Sequence, residues 1–558
     1  MLGLWENEAV SRPDDLLRSF AASMWRLADL VQVDERQRSF RAKAYRRAVW
    51  SLDDLTAGLE EPREKLLTVP GIGPGVASLI EEYRSTGHIR QLQVLDGQYP
   101  REVARMRRLP RANPEMLRSL KGHLGVETVD DLEHALGVGA LTTLKGVGET
   151  TVELWRRILD LSPGPGMVPS HRAWSLASQM GEHLERHLGV TFSEAGQVRR
   201  VEDWVAWVDL VAGTDDLPGA RRFLDLTAVA SRSDPVDDGI YGLRTHDDIG
   251  VTVHLSPPAG FGTTLVRATG PESHVEEILP DATPPLPTEP EVYRARGVEW
   301  VPPAARGLPL EKADEVVRVA DLRGDLHIHT DWSPDGRVPL EQMARAAGAR
   351  GYAYLLITDH TKGLRFGGLS EADVERQARL IGKVRANVPE VAIFQGAELN
   401  IGPSGDLDLD EGALGGLDFA IAAIHSRFEL DKEQQTSRVI RALRHPVVKV
   451  LAHPTGRRIG IRPSLMLDLD AVFAVAAEEG VALELNGHRD RLDLSAELTE
   501  RALAAGCLLA ANSDAHRLGE LSNVENAVAT AQRAGVTPDR VVNTRDLEAL
   551  IRWVNGRQ

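Results

Sequence analysis

Cysteine is nearly absent from this chain: there is one, Cys507, among 558 residues. That excludes a disulfide framework and any zinc site built from several thiolates. Aromatic residues are sparse at 5%, and no apolar run approaches the ~18 residues that span a bilayer. The opening decapeptide MLGLWENEAV has no basic region ahead of an apolar stretch, so it does not read as a signal peptide. The expectation from these absences is a cytoplasmic protein with no membrane partner.

Positive charge is also in short supply. The 65 Lys and Arg face 82 Asp and Glu, and a net charge of −17 argues against non-specific coating of nucleic acid. The deficit is uneven. Residues 1–160 carry 23 basic and 24 acidic side chains, residues 161–310 carry 12 and 21, and residues 311–558 carry 30 and 37. The N-terminal portion is therefore the expected nucleic-acid face. A composition of 42% hydrophobic and 26% charged residues fits a folded chain of about three or four domains.

Leu16, Leu17, Phe20, Met24, Leu27, Leu30 and Val31 recur at three and four, the helical period. A basic segment with two aromatics follows at 36–47, and residues 1–160 read as all helical. Pro163, Gly164, Pro165 and Gly166 mark a linker. Residues 170–270 change character, with a helical stretch at 171–188 and short apolar runs at 204–211, 223–229 and 251–255, suggesting a small α+β domain. The proline-rich segment 279–290 reads as a second linker. Beyond it, seven β-like runs alternate with helical segments, at 325–329, 354–358, 391–396, 419–424, 448–452, 482–485 and 508–512. That alternation predicts a βα barrel.

The barrel runs end in metal-ligand side chains. In Gly324-Asp-Leu-His327-Ile-His329, residues two apart in a strand face one side, so both imidazoles can meet one cation. Later runs end in Asp359-His360, Glu398, His425, His453 and Asp514-Ala-His516. Imidazoles and carboxylates without thiols suit zinc, manganese or iron. This order of motifs resembles the polymerase-and-histidinol-phosphatase (PHP) family over about residues 321–558. The resemblance implies nine ligands: His327, His329, Asp335, His360, Glu398, His425, His453, Asp514 and His516. Asp335 lies in Ser333-Pro-Asp-Gly336, where the family has Ser-Asp-Gly, so Pro334 reads as an insertion and Asp331 is a rival. Two or three such ions (Mn²⁺, Zn²⁺ or Fe²⁺) support phosphoester hydrolysis by activating water and stabilising the leaving oxygen. Arg457, Arg489 and Arg491 are candidate phosphate clamps, with surface salt bridges the competing reading. Asp359 is a candidate to orient an imidazole, with a loop cap as its alternative. His445 and His488 match no motif position and read as surface histidines.

Gly71-Ile-Gly73-Pro-Gly75 resembles a helix-hairpin-helix motif, whose glycines let backbone N–H groups approach DNA phosphates without reading bases. Gly146-Val-Gly148 is a second candidate. Between them, Leu109-Pro-Arg-Ala-Asn-Pro-Glu115 stands where related proteins carry a further glycine hairpin, within a basic run from Arg101 to Arg118. Hairpins, mixed domain and PHP barrel in this order resemble the bacterial family X DNA polymerases across nearly the whole chain. Phe40-Arg-Ala-Lys-Ala-Tyr-Arg-Arg47, Pro257-Pro-Ala-Gly-Phe-Gly-Thr-Thr-Leu265 and Tyr293-Arg-Ala-Arg-Gly297 match that family's landmarks. The expected domains are 1–95 (helical, DNA-binding), 96–162 (second hairpin region), 167–310 (nucleotidyltransferase-like palm, truncated thumb and linker) and 321–558 (PHP).

The family's palm holds two Mg²⁺ on three carboxylates, beginning Gly-Ser and ending Asp-x-Asp. Here the motif begins Gly196-Gln197 and ends Trp207-Val-Asp209, and Thr252 stands at the third carboxylate position. Only Asp209 remains, and Glu202 or Asp203 would be displaced by ~13 Å along a strand. The expectation is a DNA 3′–5′ exonuclease or 3′-end processing enzyme of DNA repair, without polymerase activity. Alternatives are a small-molecule phosphatase, an active polymerase, and a scaffold that only binds DNA ends.

Overall fold

The computed structural model describes residues 15–35, 39–164, 166–280, 283–364 and 367–556. The opening decapeptide, residues 36–38 of the basic segment, Pro165 of the first linker and residues 281–282 of the second lie outside the described residues.

The described residues between 15 and 161 are helical. The helix Asp15–Asp34 buries Phe20, Met24, Leu27 and Leu30 along one face, and these join a continuous core that reaches Ile158. Three hairpins interrupt the helices at equivalent places. Each turns through the left-handed region, at Gly71 (φ 95°), Arg111 (φ 67°) and Gly146 (φ 84°). Each then starts a helix, Pro74–Thr86, Pro114–Leu124 and Glu149–Leu159 respectively. The middle segment, which in sequence is a basic run without glycines, therefore keeps the hairpin backbone. Asn113 takes over its N-cap, the side chain accepting a hydrogen bond from the Met116 amide.

A five-stranded sheet forms the middle of the chain: β1 (Thr191–Glu194), β2 (Val208–Gly213), β3 (Ala230–Asp237), β4 (Ile240–Thr245) and β5 (Gly250–Ser256). Their spatial order is β1-β2-β5-β4-β3, with β2 and β5 parallel and the other neighbours antiparallel. Helices Ser170–Leu188 and Phe261–Thr269 pack against β2. The apolar run at 223–229 is not a strand. It closes the helix Leu217–Leu226, which Asp216 caps and whose Ala220 and Leu224, one turn apart, are buried.

The proline-rich segment is not a loose tether. The Gly262 amide donates to Pro287 O, the Thr263 amide to Leu286 O, and Thr263 Oγ1 accepts from the Leu286 amide. Its last residues start the helix Glu289–Arg296, where buried Glu289 receives both guanidinium nitrogens of Arg199 at 2.7 Å and Arg306 at 2.8 Å. Val266, Ile278, Val292, Tyr293 and Ala305 close a small core over this ion pair.

The C-terminal part carries eight short strands: β6 (Gly324–Ile328), β7 (Tyr354–Ile357), β8 (Ala392–Gln395), β9 (Glu398–Asn400), β10 (Ala420–Ala423), β11 (Val448–Leu451), β12 (Ala482–Asn486) and β13 (Leu509–Asn512). All neighbours are parallel, in one sheet of β8-β7-β6 and another of β9 to β13 in sequence order. One more strand segment is present than the seven apolar runs predict, because the chain changes sheets at Gly396 and Ala397. The Gly396 amide still bonds Ile357 O (2.9 Å), whereas Ala397 O accepts from Ile421 (3.1 Å). At the opposite seam Ile328 bridges to Ala515, and the His329 amide donates to Ala515 O at 2.8 Å. Alternate residues Leu326, Leu356, Phe419, Ile421 and Val450 form a cluster closed by Leu550 of the terminal helix Leu547–Asn555. Intervening residues such as Leu355 and Ala422 share a core with helical Met343, Val439 and Phe473. This two-sided burial explains why the runs read as continuously apolar.

Polar contacts join the parts. Asp53 accepts from His183, Thr227 Oγ1 and the Ala228 amide, and Asp203 is paired with Arg457 (2.7 Å) and Arg533 (3.3 Å). No helix among the described residues is long and apolar enough to cross a membrane.

Replacing Glu289 by alanine leaves two guanidinium groups in a buried site, and removal of one partner from such a network costs about 3–5 kcal/mol. Burial raises the Glu289 carboxyl, but Arg199 and Arg306 outweigh it and hold the group at about 2. The stabilisation is therefore complete above the ordinary carboxylate pKa of ~4.3 and fades as pH falls toward 2. Urea unfolding of Glu289→Ala at pH 7 is expected to show that loss, and at pH 3 a smaller one.

Candidate metal centre

The pairing of β6 with β7 shifts between Asp325 and Ile328, adding one residue on the β6 side. Such bulges re-aim side chains. Here His327 and His329, both fully buried, bring their Nε2 atoms to 3.1 Å of one another. Glu398, the first residue after the change of sheets, is 1% exposed and lies among five imidazoles. Its oxygens are 2.8 Å from His360 Nδ1, 3.0 Å from His425 Nε2, 2.8 Å from His453 Nε2 and 3.5 Å from Nε2 of both His327 and His329. Asp514 Oδ1 lies 3.3 Å and 3.4 Å from the same two histidines. His516 stacks on His329 with ring centroids 4.0 Å apart.

Asp335, not Asp331, reaches this group, 3.7 Å from His360 Nε2 and 3.5 Å from His516 Nε2. All nine expected ligands are thus brought together. Three overlapping triads place their donor atoms within 4.8 Å of one another: His327, His329 and Asp514; His329, His360 and His516; and His360, Glu398 and His425.

Electrostatics favour cations here. Burial penalises the Glu398 carboxylate, yet His425, His360 and His327 hold its pKa far below the ordinary value. Burial likewise lowers His327, but Glu484, Asp514 and Glu398 together raise it well above the ordinary value. His453 is pulled down to about 4 by burial and by Arg491. Among the described residues His425 Nδ1 is buried without a hydrogen-bond partner, and Glu398 Oε2 meets His360, His425 Nε2 meets Glu398 and His516 Nε2 meets Asp335 at ion-pair distance without hydrogen-bond geometry. Nitrogen and carboxylate donors converging in one place fit divalent metal, and no thiolate joins them.

The side chains that orient these donors were partly invisible in the sequence. Glu484, fully buried on β12, accepts from His327 Nδ1 (2.6 Å), the His453 amide (2.6 Å) and Asn512 (2.9 Å). That bond turns the His327 Nε2 lone pair toward the centre. A lone carboxylate in the apolar run Ala482-Leu-Glu484-Leu was the available signal, since such a group is buried only for a partner. Among the described residues Asp359 bonds no imidazole directly and reaches one only through Ser333. It accepts from Thr330, Ser333 and Gln377, and Ser333 Oγ in turn faces His329 Nδ1 at 3.0 Å.

Of the three candidate clamps, Arg491 alone faces the cluster, with Nε 3.5 Å from Asp514. Arg457 is committed to Asp203 and to the Arg491 carbonyl, and Arg489 lies over the Trp174 ring at 5.0 Å. Both hold the middle domain against the barrel. His488 is also more than a surface residue: half-buried, it bonds Asp490 at 2.7 Å. His445 lies at the edge of the domain, 3.6 Å from Glu411.

In the middle sheet, Asp209 and Thr252 are cross-strand neighbours on β2 and β5, the juxtaposition expected of a palm. Trp207 packs on Gly250, where an added Cβ would fall 2.4 Å from the ring, with the Arg244 guanidinium 5.3 Å from its centroid. Gln197 bonds Glu202 and the Ala206 amide. Glu202 is paired with Arg200, Asp203 with Arg457 and Arg199 with Glu289, so none is directed at Asp209. Asp209 has His254 3.6 Å away. At the hairpins, Ile72 and Val147 are buried while Gly73, Gly75, Gly146 and Gly148 face solvent. Gly71 abuts Ser51, whose Oγ would be 2.7 Å from an added Cβ.

Comparison with known proteins adds three family matches: a helix-hairpin-helix domain over residues 18–89, a SAM-like helix-hairpin-helix tandem over 105–160, and a PHP domain over 325–488. The DNA polymerase/3′-5′ exonuclease PolX of Bacillus subtilis is 30% identical over 539 residues, covering 91% of this chain and 94% of that protein. A "Probable phosphatase" of Thermoanaerobacter sp. is 30% identical over 233 residues, covering 39% of this chain and 89% of that protein. Another, of Syntrophotalea carbinolica, is 28% identical over 239 residues, 41% of this chain and 93% of that protein.

Glu484→Gln keeps the shape of the side chain but weakens its hold on His327. It is expected to lower Mn²⁺ or Zn²⁺ affinity by roughly 10–100-fold, measured by calorimetric titration of the metal-stripped protein, without loss of helix content.

Proposed function

The chain belongs to the bacterial family X DNA polymerases that carry a PHP domain, and we propose that it works as a metal-dependent phosphoesterase on DNA 3′ ends, with its polymerase site inactive. The observation that carries this reading is the contrast between two sites of one chain. The barrel gathers nine nitrogen- and oxygen-donor side chains, Glu398 among them, whereas the palm keeps one carboxylate, Asp209, of three.

In the barrel, His327, His329, Asp335, His360, Glu398, His425, His453, Asp514 and His516 would hold two or three divalent ions. Those ions supply a lowered pKa for an attacking water and charge to stabilise the leaving oxygen. The chain's own residues do the rest. Glu484 and Ser333 fix which imidazole nitrogens face inward. Arg491, 3.5 Å from Asp514, would pair with a phosphate oxygen beside the cluster. The hairpins at Gly71 and Gly146 would supply sequence-independent contact with the DNA backbone, consistent with 3′–5′ exonuclease or end-processing work in DNA repair in the cytoplasm.

The palm reading rests on occupancy. Trp207 fills the space over Gly250 where a first carboxylate would stand, and Thr252 offers β5 no charge. Arg199 and Arg200 are spent inside the domain on Glu289 and Glu202. Without paired carboxylates, Mg²⁺ lacks the oxygen ligands that it requires. A second reading, a small-molecule phosphatase with a DNA-binding arm, is favoured by the names of the shorter relatives that cover about two-fifths of the chain.

With Mn²⁺ and single-stranded or 3′-recessed DNA, the wild-type chain is expected to shorten 3′ ends stepwise. His327→Ala or Asp514→Ala should slow this by more than about a hundredfold, the loss seen even for residues that merely orient a ligand. DNA left intact while p-nitrophenyl phosphate is cleaved would move the assignment to the second reading. In primer-extension assays with dNTPs and Mg²⁺ no templated product is expected; extension abolished by Asp209→Ala would overturn the inactive palm.

A further inference from the structure

A cleft of about 950 Å³ opens between the middle hairpin, the start of the helix Ser170–Leu188 and the barrel loop that follows His453. Among the described residues that line it, five are arginines and one, Glu115, is acidic. Four of the five belong to residues 1–160, where basic and acidic side chains nearly balance, so the cleft concentrates positive charge locally. Three of the arginines are tied down: Arg172 to Asp247, Arg118 to Asp34 and Tyr99, and Arg111 to Thr151 Oγ1 at 3.0 Å. The other two are not. Arg107 Nε is buried with no hydrogen-bond partner, and the Arg108 side chain, open to solvent along the cleft, makes no hydrogen bond or ion pair among the described residues. Arg172 and Arg107 stand close enough to repel the Arg108 guanidinium. Such a group gains from any anion that enters.

A second, independent observation is the backbone at Arg111. At φ 67° it occupies the left-handed turn position that glycine fills in the other two hairpins. A side chain there costs on the order of 1 kcal/mol or more. This hairpin therefore bears strain that a glycine would relieve, and the residue bearing it lines the cleft.

We propose that this cleft binds the phosphodiester backbone of a single-stranded DNA tail and leads it toward the metal cluster. The proposal rests on the phosphoesterase reading for its destination and not for the binding itself. Continuity supports the path. Gly460 and Ile461, the barrel's wall of the cleft, belong to the loop that starts at His453, and Arg491 at the cluster's edge is also a cation. Among the described residues of the lining, His171 is the sole aromatic ring, so bases have no stack of aromatics to rest on. Recognition through phosphates alone predicts indifference to sequence.

The test is fluorescence anisotropy of the full chain with a fluorescein-labelled oligothymidylate of about a dozen residues, in EDTA to prevent hydrolysis. Arg107→Ala/Arg108→Ala should raise Kd at least about tenfold and reduce the slope of log K against log salt by ~1.4, or ~0.7 for each phosphate no longer neutralised. Arg108→Lys should keep most of the affinity, because a point charge suffices for phosphate. Arg108→Glu, altered at a solvent-facing side chain, gives the same reading should the double variant unfold. Unchanged Kd and salt slope in a folded variant, or competition by inorganic phosphate without oligonucleotide binding, would overturn the proposal. With Mn²⁺ present, the KM for oligonucleotide hydrolysis should rise with Kd. A constant KM would remove the cleft from the path to the metals. If wild-type protein hydrolyses nothing while the binding difference stands, the phosphoesterase reading fails and the cleft survives.

Discussion

Glu398 is a carboxylate at 1% exposure facing five imidazoles, and the C-terminal half of the molecule is arranged around making that tolerable. A buried anion is stable only when opposite charge and hydrogen bonds replace the water it has lost. Protonated histidines supply part of that charge, which is why His360 is raised to about 10 against its burial, chiefly by Glu398. They cannot supply all of it. His329 is crowded by burial, His516 and His360 and is driven well below its ordinary value. Metal ions would resolve the conflict, since they provide positive charge while leaving every imidazole neutral. The bulge in β6, the change of sheets at Gly396 and the buried Glu484 all follow as the scaffolding of this one requirement.

The middle domain shows the reverse economy. Its sheet sets Asp209 beside Thr252 on neighbouring parallel strands, the register on which the proposed palm reading rests. The arginines near it have turned inward, and Arg199 with Arg306 now secures Glu289 in a core. Asp203, in the middle domain just ahead of the strand Val208–Gly213, clasps Arg457 and Arg533 of the barrel. Charge here serves cohesion, and the domain bonds to both the helical hairpins and the barrel.

Much of this was legible in the sequence because the signals were periodic or densely spaced. Apolar residues at three and four marked the first helix, and doubly covered strands read as short apolar runs, each followed by a ligand type. The His-x-His pair and the terminal Asp-x-His are local enough to survive as motifs. What stayed hidden depends on three-dimensional neighbours. Arg457, Arg489 and Arg491 look equivalent in the sequence, yet only Arg491 is turned to the cluster; the other two meet a different domain. Asp359 sits next to a ligand but serves a serine instead. Arg111 occupies a glycine's conformation, which composition alone cannot disclose. The apolar run at 223–229 was misleading because a half-buried helix end and a strand share the same residues over so short a span.

The central claim is that Glu398 and its histidines hold divalent metal. Anomalous scattering from crystals of the Mn²⁺- or Zn²⁺-soaked protein measures this directly. Two or three peaks are expected among the side chains of His327, His329, His360, Glu398, His425, Asp514 and His516. An absence of peaks there, or metal located only elsewhere on the chain, would contradict it.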